Sequence, residues 1–253
     1  MSGRISIIGL GPGNILQRTP QATQVLEQVT DLVGYGPYVQ RVEAPHHVIR
    51  HSSDNRVEAE RARHALEMAS AGRHVGVVSG GDAGVFAMAS AVFEQVQLGP
   101  DTWRTLDIEV IPGVSAVLAA AAALGAPLGG DFCVMSLSDN LKPWPVVLRR
   151  LQLAAEAGFV IALYNPRSQA RPWQLGEALL HLRQFVPLHT PVAFARAIGR
   201  PDEAVRITSI EEADADLADM STLVLIGCAA SRLIERPSGH QPWFYTLRSV
   251  VAE

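Results

Sequence analysis

GLGPGN, residues 9–14, is the stretch on which the reading of this chain turns. It follows the apolar run ISIIGL that starts at Ile5, so three glycines stand directly behind a predicted strand. Such a loop cradles a nucleotide phosphate when its backbone N–H groups meet the anion from a helix N-terminus. Pro12 removes one of those donors. The next helix signal is also late, at Thr19-Pro20, with Thr as N-cap and Pro in the first turn. A dinucleotide fold further needs an acid about 20 residues on, at the end of the second strand. That strand ends VGYGPY, residues 33–38, without one. GLGPGN is therefore expected to be a rigid lip at a strand end, one wall of a substrate trough, with Pro12 facing the substrate or the edge of a cofactor pocket.

The same unit of strand, glycine loop and helix recurs outward from this point. HVGVVS (74–79) precedes GGDAG, and DIEVI (107–111) precedes PGVSA. Helices are predicted over residues 54–71, 85–97, 115–124, 146–157 and 175–185. The first of these carries Ala62, Ala65, Leu66 and Ala69 at helical spacing and is closed by Gly72. Further strands are DLVGY, DFCVMSL, FVIALY and VAFAR. AVRITS and STLVLIG are expected to pair antiparallel and close the fold. This alternation predicts an α/β protein whose parallel sheet carries its loops at the strand C-terminal edge. The Ala-rich segment 115–124 is the expected passage between two halves, residues 1–114 and 115–253.

Composition narrows the class. The 253 residues are 48% hydrophobic and 18% charged, as in a globular protein. A net charge of −4 with scattered basic residues gives no nucleic-acid footprint. The longest apolar stretch, VSAVLAAAAALGAPLGG, is broken by Gly125 and Pro127 and reads as a buried helix rather than a membrane span. MSGRISIIGL passes straight into strand and loop without a signal-peptide pattern, and Cys133 and Cys228 lie in apolar runs. A cytoplasmic protein with reduced thiols is expected. Two cysteines exclude a Cys-rich zinc or iron–sulfur site. His46, His47 and His51 lack a further ligand in register, so no metal is expected.

Four loops at strand ends favour a small-molecule enzyme over a binding module. Gly80 and Gly81 let a ligand approach the main chain, while Asp82 can accept from a hydroxyl or amine, or cap the next helix. Ser115 can cap or touch a ligand. Tyr164, Asn165 and Arg167 leave their strand exposed before Pro166 and Pro172 interrupt any helix. The acidic run EEADADLADM (211–220) reads as a solvated face.

At these residues the sequence resembles the tetrapyrrole methylases, which methylate with S-adenosylmethionine (SAM). Gly9 to Gly13, Gly80 to Asp82, Pro112 to Ser115 and Tyr164 to Pro166 match the family's spaced motifs in order. Within the family, VGYGPYV, SGGDAGVFAMAS, SLSDNLKPW (136–144) and LYNPRS look like the precorrin-3B C(17)-methyltransferases. The resemblance implies two α/β domains with SAM in the cleft between them, a fold unlike the Rossmann-like methyltransferases, assembled as a homodimer through the second domain. It implies transfer of the SAM methyl to carbon 17 of precorrin-3B with ring contraction to precorrin-4, leaving S-adenosylhomocysteine. The cobalt-loaded macrocycle is the alternative substrate; a NAD(P) oxidoreductase or a tetrapyrrole carrier are readings of other classes.

By matching positions, Gly80, Gly81, Asp82, Val85, Ser115 and Ala116 contact SAM, with Asn165, Ala197 and Thr222 completing the site. Family members with an acid after the tyrosine of the second strand differ here, where Gly36 stands. Contraction needs a base near the macrocycle. Asp139 is the preferred candidate, unless it only caps a turn, and Tyr35, Ser138 and the histidines are rivals. Lys142, Arg167 and Arg171 are placed on loops where they can pair with substrate carboxylates.

Overall fold

The computed structural model describes residues 3–54, 57–237 and 239–249. The chain divides into two compact units, Met1–Ala116 and Val117–Glu253.

In the first unit, β1 (Arg4–Gly9), β2 (Asp31–Tyr35), β3 (Ile49–Ser53), β4 (His74–Ser79) and β5 (Asp107–Ile111) form one sheet in the order β3-β2-β4-β1-β5. Every pair in it is parallel. Its helices are α1 (Pro20–Leu26), α2 (Gly36–Arg41), α3 (Glu58–Ser70) and α4 (Met88–Leu98). β1, β2 and β4 read as nearly continuous apolar runs because both faces are buried. Ile5, Ile7, Val75 and Val77 pack with Ala62, Ala65, Leu66 and Ala69 of α3. Ile8, Leu32 and Val78 pack with Ala22 and Leu26 of α1.

Thr19 caps α1, its hydroxyl accepting from the Ala22 N–H at 3.2 Å. Two helices start later than predicted. α3 begins at Glu58 rather than residue 54, and α4 at Met88 rather than residue 85, because residues 83–87 form a turn and bends, in which Phe86 is left-handed (φ +51°) and Ala87 extended (φ −135°, ψ −165°). α2 and β3 were not expected. GPYVQR is a single short helix, and IRHSS is a polar strand at the sheet edge, so neither carries an apolar period.

The second unit takes up the chain in α5 (Ala116–Leu124) and adds β6 (Gly125–Ala126), β7 (Phe132–Ser136), α6 (Trp144–Glu156), β8 (Val160–Tyr164) and α7 (Gln174–Leu182). Next come β9 (Pro191–Arg196), β10 (Ala204–Ser209), β11 (Thr222–Ile226), β12 (Ser231–Ile234) and β13 (Trp243–Thr246). The main sheet runs β10-β9-β11-β8-β7, with β7 and β8 parallel and the other pairs antiparallel. Two expectations are corrected here. β10 and β11 do not pair, because β9 lies between them and spends one edge on each. Nor do they close the fold, since β12, β13 and β6 form a further three-stranded sheet. The core of this unit gathers Leu137, Leu151, Leu163, Leu175, Phe194 and Val224 among others.

Candidate active site

Because β1 lies between β4 and β5 and all three are parallel, the loops after them leave one edge of the sheet side by side. From β1 the chain turns towards β2, and from β4 it crosses to β5 on the other side, which makes this the topological switch point where ligands bind in open α/β sheets. Gly11 and Gly81 exchange two backbone hydrogen bonds, at 3.0 and 2.8 Å, and the Leu10 N–H donates to the Ser79 carbonyl at 2.9 Å. The close approach requires glycine. A Cβ on Gly113 would lie 2.3 Å from the Gly81 carbonyl oxygen, and one on Gly9 would lie 2.8 Å from both Gly113 N and Gly81 O. Gly11 and Gly81 are also left-handed, at φ +76° and +70°.

Asp82 ties this arrangement together. Its Oδ1 accepts from the Gly84 N–H at 2.8 Å and its Oδ2 from the Gly113 N–H at 2.9 Å. It does not cap α4, whose N-cap is Ala87. The Leu10 and Gly11 donors of GLGPGN are thus committed to the end of β4 and the second glycine loop. Pro12 is buried, so it is not the open wall expected of it; Gly13, Asn14, Ile15 and Leu16 are the exposed part of the loop. Asn14 caps a short 3-10 turn there, accepting from the Leu16 N–H at 2.9 Å.

Around this core, Ser115 is buried and Ala116 begins α5. The Ala116 N–H lies 3.6 Å from the Cβ position of Gly81. Val85 is half-buried, and Phe86 beyond it holds φ +51°. Tyr38, not singled out from the sequence although VGYGPYV contains it, covers Gly80, whose Cβ would lie 2.8 Å from Tyr38 Cζ. Tyr35 meets Tyr38 edge to face at 5.6 Å. Gly36 faces open space, with nothing within 4 Å of its Cβ position.

The second unit assembles its own edge. β7 and β8 run parallel with Ser136 level with Tyr164, and β11 runs back against β8. Continuing that ladder sets Thr222 level with Asn165. Thr222 also pairs with Arg196, after which the Ala197 N–H donates to the Ser221 carbonyl at 2.9 Å. Asn165, Ala197 and Thr222 therefore lie at one end of this sheet. Asn165 and Ala197 both hold φ +51°, and with Phe86 they are the non-glycine residues at positive φ among those described. Such strain persists where the surroundings over-determine it and clusters at ligand sites.

Their polar atoms are partly spent. Asn165 Nδ2 donates to Ser136 Oγ at 2.9 Å, and Ser136 Oγ also accepts from the Ser138 N–H at 3.2 Å. The Thr222 hydroxyl donates to Asp219 Oδ1 at 2.9 Å and accepts from the Asp219 N–H at 3.0 Å, so its proton is committed. Tyr164, Asn165 and Arg167 are half-buried rather than exposed. Tyr164 Oη accepts from the Val117 N–H in the first turn of α5 at 3.0 Å.

The three basic residues fare differently. Arg171 is only 7% exposed, and its Nη1 donates to the Asn165 carbonyl at 2.9 Å, so it is not the loop-surface cation expected but a brace for the strained Asn165. Arg167 pairs with Asp216 at 2.6 Å across a largely exposed contact, worth about 0–1 kcal/mol and readily exchanged. Lys142 is half-buried, and burial together with the nearby Arg150 charge lowers its pKa. The acidic run is more than a solvated face. Asp216 takes Arg167, Asp214 caps a 3-10 turn, and Asp219 binds Arg196 at 2.9 Å. Asp139 is half-buried and accepts from Gln174 Nε2 at 3.1 Å.

Among the described residues no group of three or more His, Cys, Asp or Glu is placed to hold a metal ion. His51 instead binds the fully buried Asp31 at 2.8 Å, which also takes Arg73 at 2.6 Å. Cys133 and Cys228 are free thiols; burial pushes the Cys133 pKa up to about 11.

The family model described as tetrapyrrole (corrin/porphyrin) methylases matches residues 4–214. A precorrin-3B C(17)-methyltransferase of Sinorhizobium sp is 52% identical over 98% of this chain and 97% of its own length. A probable cobalt-factor III C(17)-methyltransferase of Salmonella typhimurium is 40% identical over 88% of this chain and 92% of its own. Among solved structures, that of the methyltransferase CobJ is 47% identical, covers 97% of this chain and 100% of that one, and superposes with a TM-score of 0.91.

Proposed function

We propose, from the premise that this chain belongs to the tetrapyrrole (corrin/porphyrin) methylase family, that it moves the methyl group of SAM to carbon 17 of precorrin-3B. The transfer is coupled to contraction of the macrocycle, giving precorrin-4 and S-adenosylhomocysteine in cobalamin biosynthesis. The observation that carries this reading is the interlocked set of loops behind β1, β4 and β5. It brings a side-chain-free main chain at Gly80 and Gly81 beside the start of α5, with the residues of three of the four family motifs, Gly9 to Gly13, Gly80 to Asp82 and Pro112 to Ser115, on it.

SAM supplies, when bound, a methyl group on a positively charged sulfur, which is already activated for transfer. The residues' task is then placement. Gly80, Gly81 and Val85 offer main-chain contacts, and Ser115 and Ala116 offer the N–H groups of a helix start to a carboxylate. Asp82 orients these loops, and each of its oxygens retains a second acceptor site for an ammonium or hydroxyl. Asn165, Ala197 and Thr222 contribute from the second unit, Thr222 through its main chain because its hydroxyl proton is committed.

Asp139 is the base that takes the proton of the macrocycle hydroxyl at carbon 20 to start contraction, with Ser138 and Tyr35 as the alternatives. Lys142 and an exchangeable Arg167 receive substrate carboxylates. Residues 1–114 serve the macrocycle and residues 115–253 complete SAM binding and dimerise; the protein acts as a cytoplasmic homodimer that requires no metal. Among the described residues no helix is long and apolar enough to cross a membrane. The second reading takes the cobalt-loaded macrocycle, supported by the likeness to the probable cobalt-factor III C(17)-methyltransferase of Salmonella typhimurium.

Titration with SAM, S-adenosylhomocysteine and NAD(H) tests the class. Binding of the first two alone is expected, and binding of NAD(H) instead would refute it. Asp139→Asn tests the base. It should keep SAM binding and lose contraction, whereas normal precorrin-4 formation would remove Asp139 from that role.

A further inference from the structure

Gln174 is the first residue of α7 and is 2% exposed. Its Nε2 donates to Asp139 Oδ2 at 3.1 Å, while its Oε1 is buried and has no hydrogen-bond partner. Its helix neighbours Leu175, Ala178, Leu179 and Leu182 are all buried apolar side chains. Packing alone is served at such a place by Leu or Met, and an amide oxygen buried unpaired costs free energy. A buried unsatisfied group of this kind calls for a reason.

The reason lies in what an amide can do that a hydrocarbon or a charged group cannot. An ionised carboxylate only accepts, whereas a carboxylic acid donates through its O–H. The Gln174 amide can meet both. Its NH2 serves the carboxylate, and turned about its last torsion its carbonyl oxygen serves the acid. A carboxyl group acting as a base alternates between those two states in each turnover.

The surrounding loop fits this use. Residues 137–143 run from β7 to α6, and the loop is pinned beyond its far end, where Trp144 meets Trp173 edge to face at 5.1 Å. Gln174 follows Trp173 directly, so the same segment that fixes the loop end also reaches Asp139. Among the described residues Lys142 makes no ion pair with Asp139, so the carboxylate is not neutralised from its own loop.

We propose that Gln174 is a positioning residue that holds Asp139 in place through both protonation states, its NH2 before proton removal and its Oε1 after. The inference rests on the reading of Asp139 as the base. The proton leaves the macrocycle hydroxyl for Asp139, is shared there with Gln174 Oε1, and then returns to solvent, so the pair is reset without a further reactant.

The test uses the full chain with SAM and precorrin-3B and compares Gln174→Met and Gln174→Glu with wild type. Four quantities are read: kcat for contraction, KM for the macrocycle, the Kd for S-adenosylhomocysteine, and the thermal midpoint. Methionine keeps the volume and removes the orphan oxygen; glutamate keeps the shape and replaces the donor. In both, kcat should fall about ten- to a hundredfold, the range for a lost hydrogen bond to a charged group. KM and Kd should stay within about twofold. The Met variant should keep or raise the thermal midpoint, since no buried oxygen is left unpaired.

Wild-type kcat in either variant overturns the proposal. A fall in kcat matched by a weaker Kd and a lower midpoint also overturns it, because a merely structural tie gives that pattern. Asp139→Asn separates the two readings. If that variant still contracts the ring, the base reading fails and this one with it. If it does not, while both Gln174 variants do, only the Gln174 proposal fails.

Discussion

Asp82 is the most informative single residue to remove, because one carboxylate ties two of the three glycine loops. Asp82→Ala deletes the bond to the Gly84 N–H at the surface and the half-buried bond to the Gly113 N–H. The first is worth about 0.5–1.5 kcal/mol and the second, charge-assisted, about 1.5–3, so the variant should lose roughly 2–4 kcal/mol. For a chain of this length that lowers the thermal midpoint by about 5–15 °C. Asp82→Asn keeps one oxygen as acceptor and turns an NH2 against the other donor, so it should lose about half as much. Freed from Gly113, the segment carrying Ser115 and Ala116 loses its placement, and S-adenosylhomocysteine should bind more weakly in the order Asn, then Ala. Thermal unfolding and calorimetric titration of the same samples measure both. Unchanged stability and unchanged affinity in the Ala variant would refute the bridging role. Lost affinity at full stability would also refute it, because Asp82 would then act only by touching the ligand.

Gly113→Ala drives a Cβ to within 2.3 Å of the Gly81 carbonyl oxygen, a backbone atom that cannot rotate away. It should cost about 1–3 kcal/mol and abolish detectable S-adenosylhomocysteine binding, read by the same titration. Burial alone would raise the Asp31 pKa, but hydrogen bonds from His51, Thr30 and Arg73, with the Arg73 charge, bring it below the ordinary carboxylate value. A depressed folded pKa gives stability that is full above the unfolded value near about 4 and lost as pH falls through the folded one. Asp31→Asn should therefore cost about 3 kcal/mol at pH 7 and make acid unfolding below about pH 4 shallower, measured as thermal midpoint against pH. With its pKa pushed to about 11, Cys133 should resist thiol reagents at pH 8 in the native protein and react quickly only in denaturant. Rapid native labelling at that position would contradict its burial.

The strand-and-glycine rhythm of the first unit was legible because its signals are local. Apolar runs, a Thr-Pro helix start and glycines at strand ends each speak within a few residues. IRHSS was not legible as β3, because an edge strand with polar side chains has no apolar period and is defined by its partner β2. The pairing of β10 and β11 was misread for a related reason. Neighbours in sequence suggest a hairpin, but β9, further back, offers two free edges.

At the site, the residue types were readable and their commitments were not. Asp82 reads as a ligand contact, yet its geometry is decided by Gly113, 31 residues away. The Thr222 hydroxyl is claimed by Asp219 from the acidic run, and Arg171 is turned inward to Asn165. Such claims depend on which strands meet, which no local pattern encodes. Gln174 shows the same limit, since an amide opening a helix looks ordinary until its oxygen is found buried and unpaired.

The central claim is methyl transfer to carbon 17 with contraction of a metal-free ring. It is tested most directly by incubating the protein with methyl-labelled SAM and precorrin-3B, with the cobalt-loaded counterpart in parallel, and locating the label by NMR. The expected result is label at carbon 17 of a contracted product, one S-adenosylhomocysteine per product, and faster turnover of the metal-free substrate. Label at another carbon, or turnover of the cobalt-loaded ring alone, would contradict it.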